Sequence, residues 1–166
     1  DVGAYVTALL DALGPERPRA SIPHEWPREV APPVVARPSG PVRPQLLFAE
    51  LQRVVVEATD AWIMAESGNA FCWSNHHLRF SEPGRYRVST GFGSMGHATT
   101  GVVGAALARR GKAVALVGDG AMMMMNELHS AVQYGADALW VVLNDACYLM
   151  CAQGMKVMGW RPISCE

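Results

Sequence analysis

Residues 113–145, AVALVGDGAMMMMNELHSAVQYGADALWVVLND, decide the fold. The stretch opens with a continuous apolar run, Ala113 to Val117, and turns at Gly118-Asp119-Gly120. A helical segment follows from Met122 to Tyr134, closed by Gly135, and a second apolar run occupies Ala138 to Leu143 before Asn144-Asp145. Unbroken apolar strands belong to parallel sheets buried on both faces. A strand–helix–strand unit of this length returns the chain to the same sheet edge, on a neighbouring strand. The fold class this predicts is α/β, a three-layer parallel sheet with helices on both faces.

The segments upstream fit the same plan. Ser94 to Arg110 (SMGHATTGVVGAALARR) reads as a helix rich in small residues, ended by Arg109, Arg110 and Gly111. Trp62 to Ala65 is a short strand and Arg85 to Ser89 another. Gln45 to Ala58 has a helical apolar face, with Pro44 at its first turn. Asp1 to Leu13 is also helical, stopped by Gly14-Pro15. Between Pro15 and Pro44 lie nine of the eleven prolines, which rules out a regular helix or central strand there. The domain plan is therefore residues 1–14 as the tail of a preceding domain, 15–44 as a proline-rich linker, and 45–166 as the main domain.

Composition narrows the function. The 166 residues are half apolar and 17% charged, ample for a buried core. Fourteen basic against fifteen acidic side chains leave a net charge of -1, which argues against a nucleic-acid partner. No apolar run reaches the ~18 residues of a membrane span, and the start has no signal-peptide shape. It reads as the middle of something longer. Cys72, Cys147, Cys151 and Cys165 are unevenly spaced and fit buried or semi-buried free thiols in a reducing compartment, hence the cytoplasm, better than zinc or disulfides.

Ligands of open α/β sheets bind outside the carboxyl ends of the strands. Polar or glycine-rich turns fall at such ends at residues 66–70, 118–121 and 144–147, with a fourth, 90–96, before a helix. A glycine turn leading into a helix is an anion site, yet Asp119 would repel a phosphate unless a cation lay between them. Asp145 lies 26 residues after Asp119 and would share that cation. Read singly, each Asp is a turn former or cap. Read together at this spacing they point to a hard divalent ion bridging to phosphate.

These motifs resemble those of thiamine-diphosphate enzymes. GDGAMMMMNELHSAVQYGADALWVVLNDACYLM resembles the family's diphosphate-binding motif, a GDG followed about 25 to 30 residues later by Asn-Asn. TGFGSMGHATTGVVGAALA (90–108) is similar to the stretch holding the aminopyrimidine in acetolactate-synthase-like members, and AESGNAFCW (65–73) looks like their first cofactor-contact turn. The proline-rich segment resembles the crossover from a middle domain. The resemblance implies that Asp119, Asp145 and the main-chain oxygen of Cys147 ligate Mg²⁺. It also implies that Gly118, Gly120 and Ala121 cradle the diphosphate, with Asn69 and Ala70 nearby. The Gly93 oxygen would accept from the 4'-amino group, and Met95 would wedge the cofactor into its bent form. Thiamine diphosphate, Mg²⁺ and a 2-oxo acid substrate follow, with FAD assigned, if anywhere, to the absent middle domain.

The chain departs from the family in ways that matter. The interval between the paired motifs is about one residue shorter, Asn-Asn has become Asn144-Asp145, and Ala70 replaces a frequent His. Met122 to Met125 read as deformable core packing. His97 and His129 read as structural, and His76-His77 as an exposed loop that is the better placed of the two pairs to face substrate. No catalytic residue is carried here. The activating glutamate of the family comes from a pyrimidine-binding domain in another chain or a missing segment, while Glu50, Glu57 and Glu66 are helix-surface or strand-end residues. The chain also stops before the domain's last strand and helix. It is expected to be inactive alone and to work in a homo- or hetero-oligomer, without nucleic acid or membrane. Two rival readings remain: an NAD-binding domain, from Gly91-x-Gly93-x-x-Gly96, and a non-catalytic family member kept for assembly.

Overall fold

The computed structural model describes residues 1–14 and 39–161. Most of the proline-rich stretch, and Cys165, lie outside the described residues. Helix α1 (Val2–Leu13) belongs to a unit separate from the sheet. Asp1 caps it by accepting the Gly3 N–H at 2.9 Å, and Gly14 ends it in the left-handed region, φ 70°.

The main unit starts with α2 (Pro44–Leu51), Pro44 supplying the fixed φ of a first turn. A single π-helical turn, Gln52–Val56, continues it. There Glu57 N–H reaches back to the Gln52 carbonyl, while the Gln52 side chain bonds both backbone groups of Arg79. Strand β1 (Trp62–Ala65), helix α3 (Asn69–His77), strand β2 (Tyr86–Val88), helix α4 (His97–Arg109) and strand β3 (Ala113–Gly118) come next. After β3 stand the one-turn helix α5 (Asp119–Met122), helix α6 (Leu128–Gln133), strand β4 (Ala138–Leu143) and helix α7 (Leu149–Val157).

All pairings are parallel, in the order β2-β1-β3-β4. Side chains alternate across the sheet, so each strand feeds two cores. On one face Ile63, Val114 and Leu116 pack with Phe48, Leu51, Val56 and Leu78, with Trp73 of α3 against them. On the other, Met64, Ala113, Ala115 and Val117 pack with Ala98, Val102, Val103 and Ala106 of α4 and Ala131 of α6. The small residues of α4 let it lie close, near enough that a Cβ at Gly101 would stand 3.0 Å from Met64 Cε. Helices cover both faces, as the continuous apolar strands require.

Four local readings are corrected. Met122 to Tyr134 is not one helix. It breaks between α5 and α6, where the Glu127 carboxylate accepts the Asn126 N–H and takes the place of a helical bond. Of the methionine run, Met122 and Met125 pack on the core, but Met123 is 80% exposed and Met124 45%. His76-His77 are the last turn of α3 rather than a loop, and His77 stacks on Trp73 and Phe48. Cys72 and Cys151 are exposed, not buried. Among the described residues, no helix is long and apolar enough to cross a membrane.

Candidate functional site

Parallel pairing puts every carboxyl end on one edge. From β1 the chain moves to β2 on one side, then returns through α4 to β3 on the other, so the crevice of the fold lies between β1 and β3. The turns leaving these two strands, the loop leading into α4 and the segment after β4 line it.

Asp119 is the first residue of α5, half-buried, directly after β3. A one-turn helix leaves the N–H groups of its first residues without helical partners. Asp145 stands after β4, in a bend where Asn144 Oδ1 accepts the Ala146 N–H and Ala146 takes a left-handed φ of 55°. Partial burial pushes the Asp145 carboxyl above the ordinary aspartate value of 3.8, and the Asp119 charge pushes it further. The two carboxylates are thus near enough for the charge of one to act on the other. No described Lys, Arg or His forms an ion pair with either. No group of three or more His, Cys, Asp and Glu converges among the described residues. A cation here would complete its shell with main-chain or ligand oxygens, the habit of Mg²⁺ rather than zinc. This donor set fits that ion.

The segment after β4 closes over the edge. The Tyr148 ring packs on Gly120 so tightly that a Cβ there would run into it. Glycine at 120 is thus favoured by a neighbour rather than by backbone angle. From α7, Gln153 accepts a hydrogen bond from Asn69 Nδ2 at 3.3 Å, and Met150 Sδ lies 3.6 Å from where a Gly68 Cβ would be. Asn69 and Ala70 form the first turn of α3, Ala70 with its methyl buried. Gly118 ends β3 in an extended conformation any residue could adopt, beside open space.

Gly93 and Met95 stand on the loop between β2 and α4, Met95 45% exposed. The loop enters α4 through Gly96, whose φ of 99° excludes other residues and whose Cα faces Met124. This places the loop beside the α5–α6 connection. Cys147 is half-buried between Asp145 and Tyr148. His97 and His129 are exposed.

Glu66 carries more than a strand-end role. It is fully buried, and its Oε2 accepts the N–H groups of Ala98 and Thr99, both at 3.1 Å, and the Thr99 hydroxyl at 2.8 Å. The Thr99 carbonyl accepts in turn from Trp140 Nε1 at 2.8 Å. Neither this network nor Tyr148 and Gln153 is legible as function in the sequence. The nearest signal is that Glu66 interrupts an otherwise apolar strand end.

The NAD reading is corrected. Its glycine pattern follows β2, an edge strand, whereas a dinucleotide fingerprint follows the strand beside the crevice. A groove of about 740 Å³ opens elsewhere, lined by Gln52, residues 56–60 and 79–82, and Arg85, and its Arg79 and Arg85 are engaged with carbonyl oxygens.

Residues 66–166 match the family described as the C-terminal thiamine pyrophosphate-binding domain of thiamine pyrophosphate enzymes. A Mycobacterium tuberculosis protein provisionally named acetolactate synthase large subunit IlvB2 is 35% identical over 63% of this chain and 19% of its own length. Benzoylformate decarboxylase of Pseudomonas aeruginosa is 30% identical over 89% of the chain and 27% of its own length. The acetolactate synthase large subunit of Haemophilus influenzae is 31% identical over 66% and 19%. The chain thus spans about a fifth to a quarter of the curated relatives it matches. The match begins at Glu66 and takes in every turn of the crevice, and by it the chain belongs to the thiamine pyrophosphate enzymes, as their C-terminal cofactor-binding domain.

Proposed function

We propose that this chain forms the diphosphate- and metal-holding half of a site for thiamine diphosphate and Mg²⁺, within an acetolactate-synthase-like carboligase or decarboxylase of 2-oxo acids. The observation that carries the reading is the Asp119–Asp145 pair: two carboxylates that act on each other at the ends of adjacent parallel strands, one opening a helical turn, with no ion pair to a described basic side chain. A phosphate and a divalent ion together supply what that arrangement lacks.

In this reading Asp119, Asp145 and the main-chain oxygen of Cys147 hold Mg²⁺. Gly120 and Ala121 donate N–H groups to the diphosphate, with Gly118, Asn69 and Ala70 lining its path. The Gly93 carbonyl accepts from the 4'-amino group, and Met95 wedges the two rings apart. When bound, the cofactor supplies a nucleophilic carbon and an electron sink for the 2-oxo acid. The chain's own part is to anchor the charged tail and to set the bent conformation.

The activating glutamate is assigned to a pyrimidine-binding domain outside these residues, so the whole site needs a partner chain or a longer protein. Residues 1–14 are assigned to the end of a preceding domain, 15–44 to the crossover and 45–166 to the cofactor domain. Any flavin belongs outside them. A second reading within the class, decarboxylation without carboligation, draws on the benzoylformate decarboxylase match, which runs over 89% of the chain.

Equilibrium binding tests this. The full chain should take up thiamine diphosphate only with Mg²⁺, followed by tryptophan fluorescence. Metal-independent uptake, or preference for NAD, overturns the proposal. Pyruvate turnover by the chain alone overturns the need for a partner.

A further inference from the structure

Gly96 creates a problem at the start of α4. The N-cap position of a helix is best filled by Ser, Thr, Asp or Asn, whose side chain accepts a first-turn N–H. Here the N-cap has φ 99°, which admits glycine alone, so the residue that turns the loop into the helix cannot cap it. The capping acceptor comes instead from 32 residues earlier, from Glu66 at the end of β1.

Glu66 is an expensive solution. Its carboxylate is fully buried, and while Oε2 accepts three hydrogen bonds, Oε1 is buried with no partner among the described residues. What it gains is a fixed distance between two elements that no apolar contact would set so narrowly. The Thr99 carbonyl accepts from Trp140 Nε1, while the single Thr99 hydroxyl hydrogen goes to Glu66 and leaves the Ala121 carbonyl 3.4 Å away. Glu66 ties β1 to α4 at the crevice, and Thr99 passes that tie on to Trp140 of β4.

We propose that Glu66 is a positioning residue for the ring end of the bound cofactor. By anchoring the first turn of α4 to β1, it sets the height of the Gly93–Met95 loop above the glycine turn at 118–120. This rests on the reading that the chain binds thiamine diphosphate. The diphosphate end depends on Asp119, Asp145 and the N–H groups of α5, and is held without Glu66. The two ends of one ligand should therefore separate in a Glu66 variant.

The test uses the full chain with Mg²⁺ and two probes, thiamine diphosphate and inorganic pyrophosphate, and follows amide hydrogen exchange. Glu66→Gln keeps the shape and removes the charge. It should weaken thiamine diphosphate at least about tenfold, or ~1.4 kcal/mol, and leave pyrophosphate within about twofold. The Ala98 and Thr99 amides should exchange faster while those of Val114 and Leu116 do not. Thr99→Ser should behave as the native chain. Equal loss of both probes, or unchanged thiamine diphosphate affinity, overturns the proposal. A native chain that binds pyrophosphate but not thiamine diphosphate, with Ala98 and Thr99 still protected through Glu66, overturns the cofactor reading and with it the role given to Glu66, while the anchor itself stands. Where Glu66→Gln does not fold, Thr99→Val removes one of the three donors and is read by the same split between probes.

Discussion

Glu66 and the Asp119–Asp145 pair leave the same edge of the same sheet, yet their charges are balanced in opposite ways. Glu66 is wholly inside the protein and receives three donors from α4. The aspartates, one half-buried and one exposed, act on each other's charge and form no ion pair with the described residues. A carboxylate oxygen that takes two amides and a hydroxyl is occupied as soon as the chain folds, and its work is to hold elements in place. Two that repel each other are finished only when something positive arrives. The contrast separates architecture from ligand site without reference to any relative.

The sharpest way to break the contrast is Asp119→Asn. The substitution should cut Mg²⁺-dependent thiamine diphosphate uptake by roughly a hundredfold, ~2.7 kcal/mol, measured by fluorescence titration. The metal-free chain should lose no thermal stability, since a repulsion is removed and no bond is lost. A Tm that falls with affinity would place Asp119 with Glu66, among the groups that hold the fold. Gly120→Ala probes the same turn through packing. The added methyl meets the Tyr148 ring, and overpacking of this kind costs about 1–3 kcal/mol. Tyr148→Ala in the same chain should restore most of it, and a double-mutant cycle by denaturant unfolding would show the coupling.

The sheet was legible because its strands are uninterrupted apolar runs bounded by turns. Trp62–Ala65 and Ala138–Leu143 fall where the sequence puts them, and β3 extends by only Gly118. The paired aspartates were legible because a strand–helix–strand repeat brings them to one edge by geometry alone. Helix α3 was not, because it buries only Ala70 and Ser74 and shows no stripe of large apolar residues. Helix α7 has no buried residue at all. The break after α5 has neither glycine nor proline to announce it, and depends on a side chain capturing an amide. Glu66 was read as a strand end because its donors lie 32 and 33 residues away, and local pattern carries no signal of a bond that long.

His77 extends the contrast to a group buried without a partner. Its Nε2 is buried and unbonded among the described residues, and burial, helped by the charges of His76 and Arg79, lowers its pKa below the ordinary 6.5. A lowered histidine is neutral in the folded chain, so its stability is present above pH 6.5 and is lost as pH falls through the folded value. His77→Phe, which keeps the stack on Trp73 and Phe48, should flatten thermal stability between pH 7 and 5 in scans of the metal-free protein.

The smallest expected effect tests the aspartates directly. Asp145 has its pKa raised by burial and by Asp119, the reverse of a salt-bridged carboxylate. The folded chain therefore holds the proton more tightly than the unfolded chain. Its contribution is present below the ordinary value of 3.8 and is lost as pH rises through the raised one. Above that window Asp145→Asn should raise the Tm of the metal-free chain slightly, because exposure to solvent screens the repulsion. Mg²⁺ should reverse the order, stabilising the native chain and leaving the variant behind, because the ion replaces a repulsion with two attractions and the variant offers only one. If Mg²⁺ shifts both equally, the pair is not where the ion binds, and the difference between Glu66 and the aspartates reduces to depth of burial.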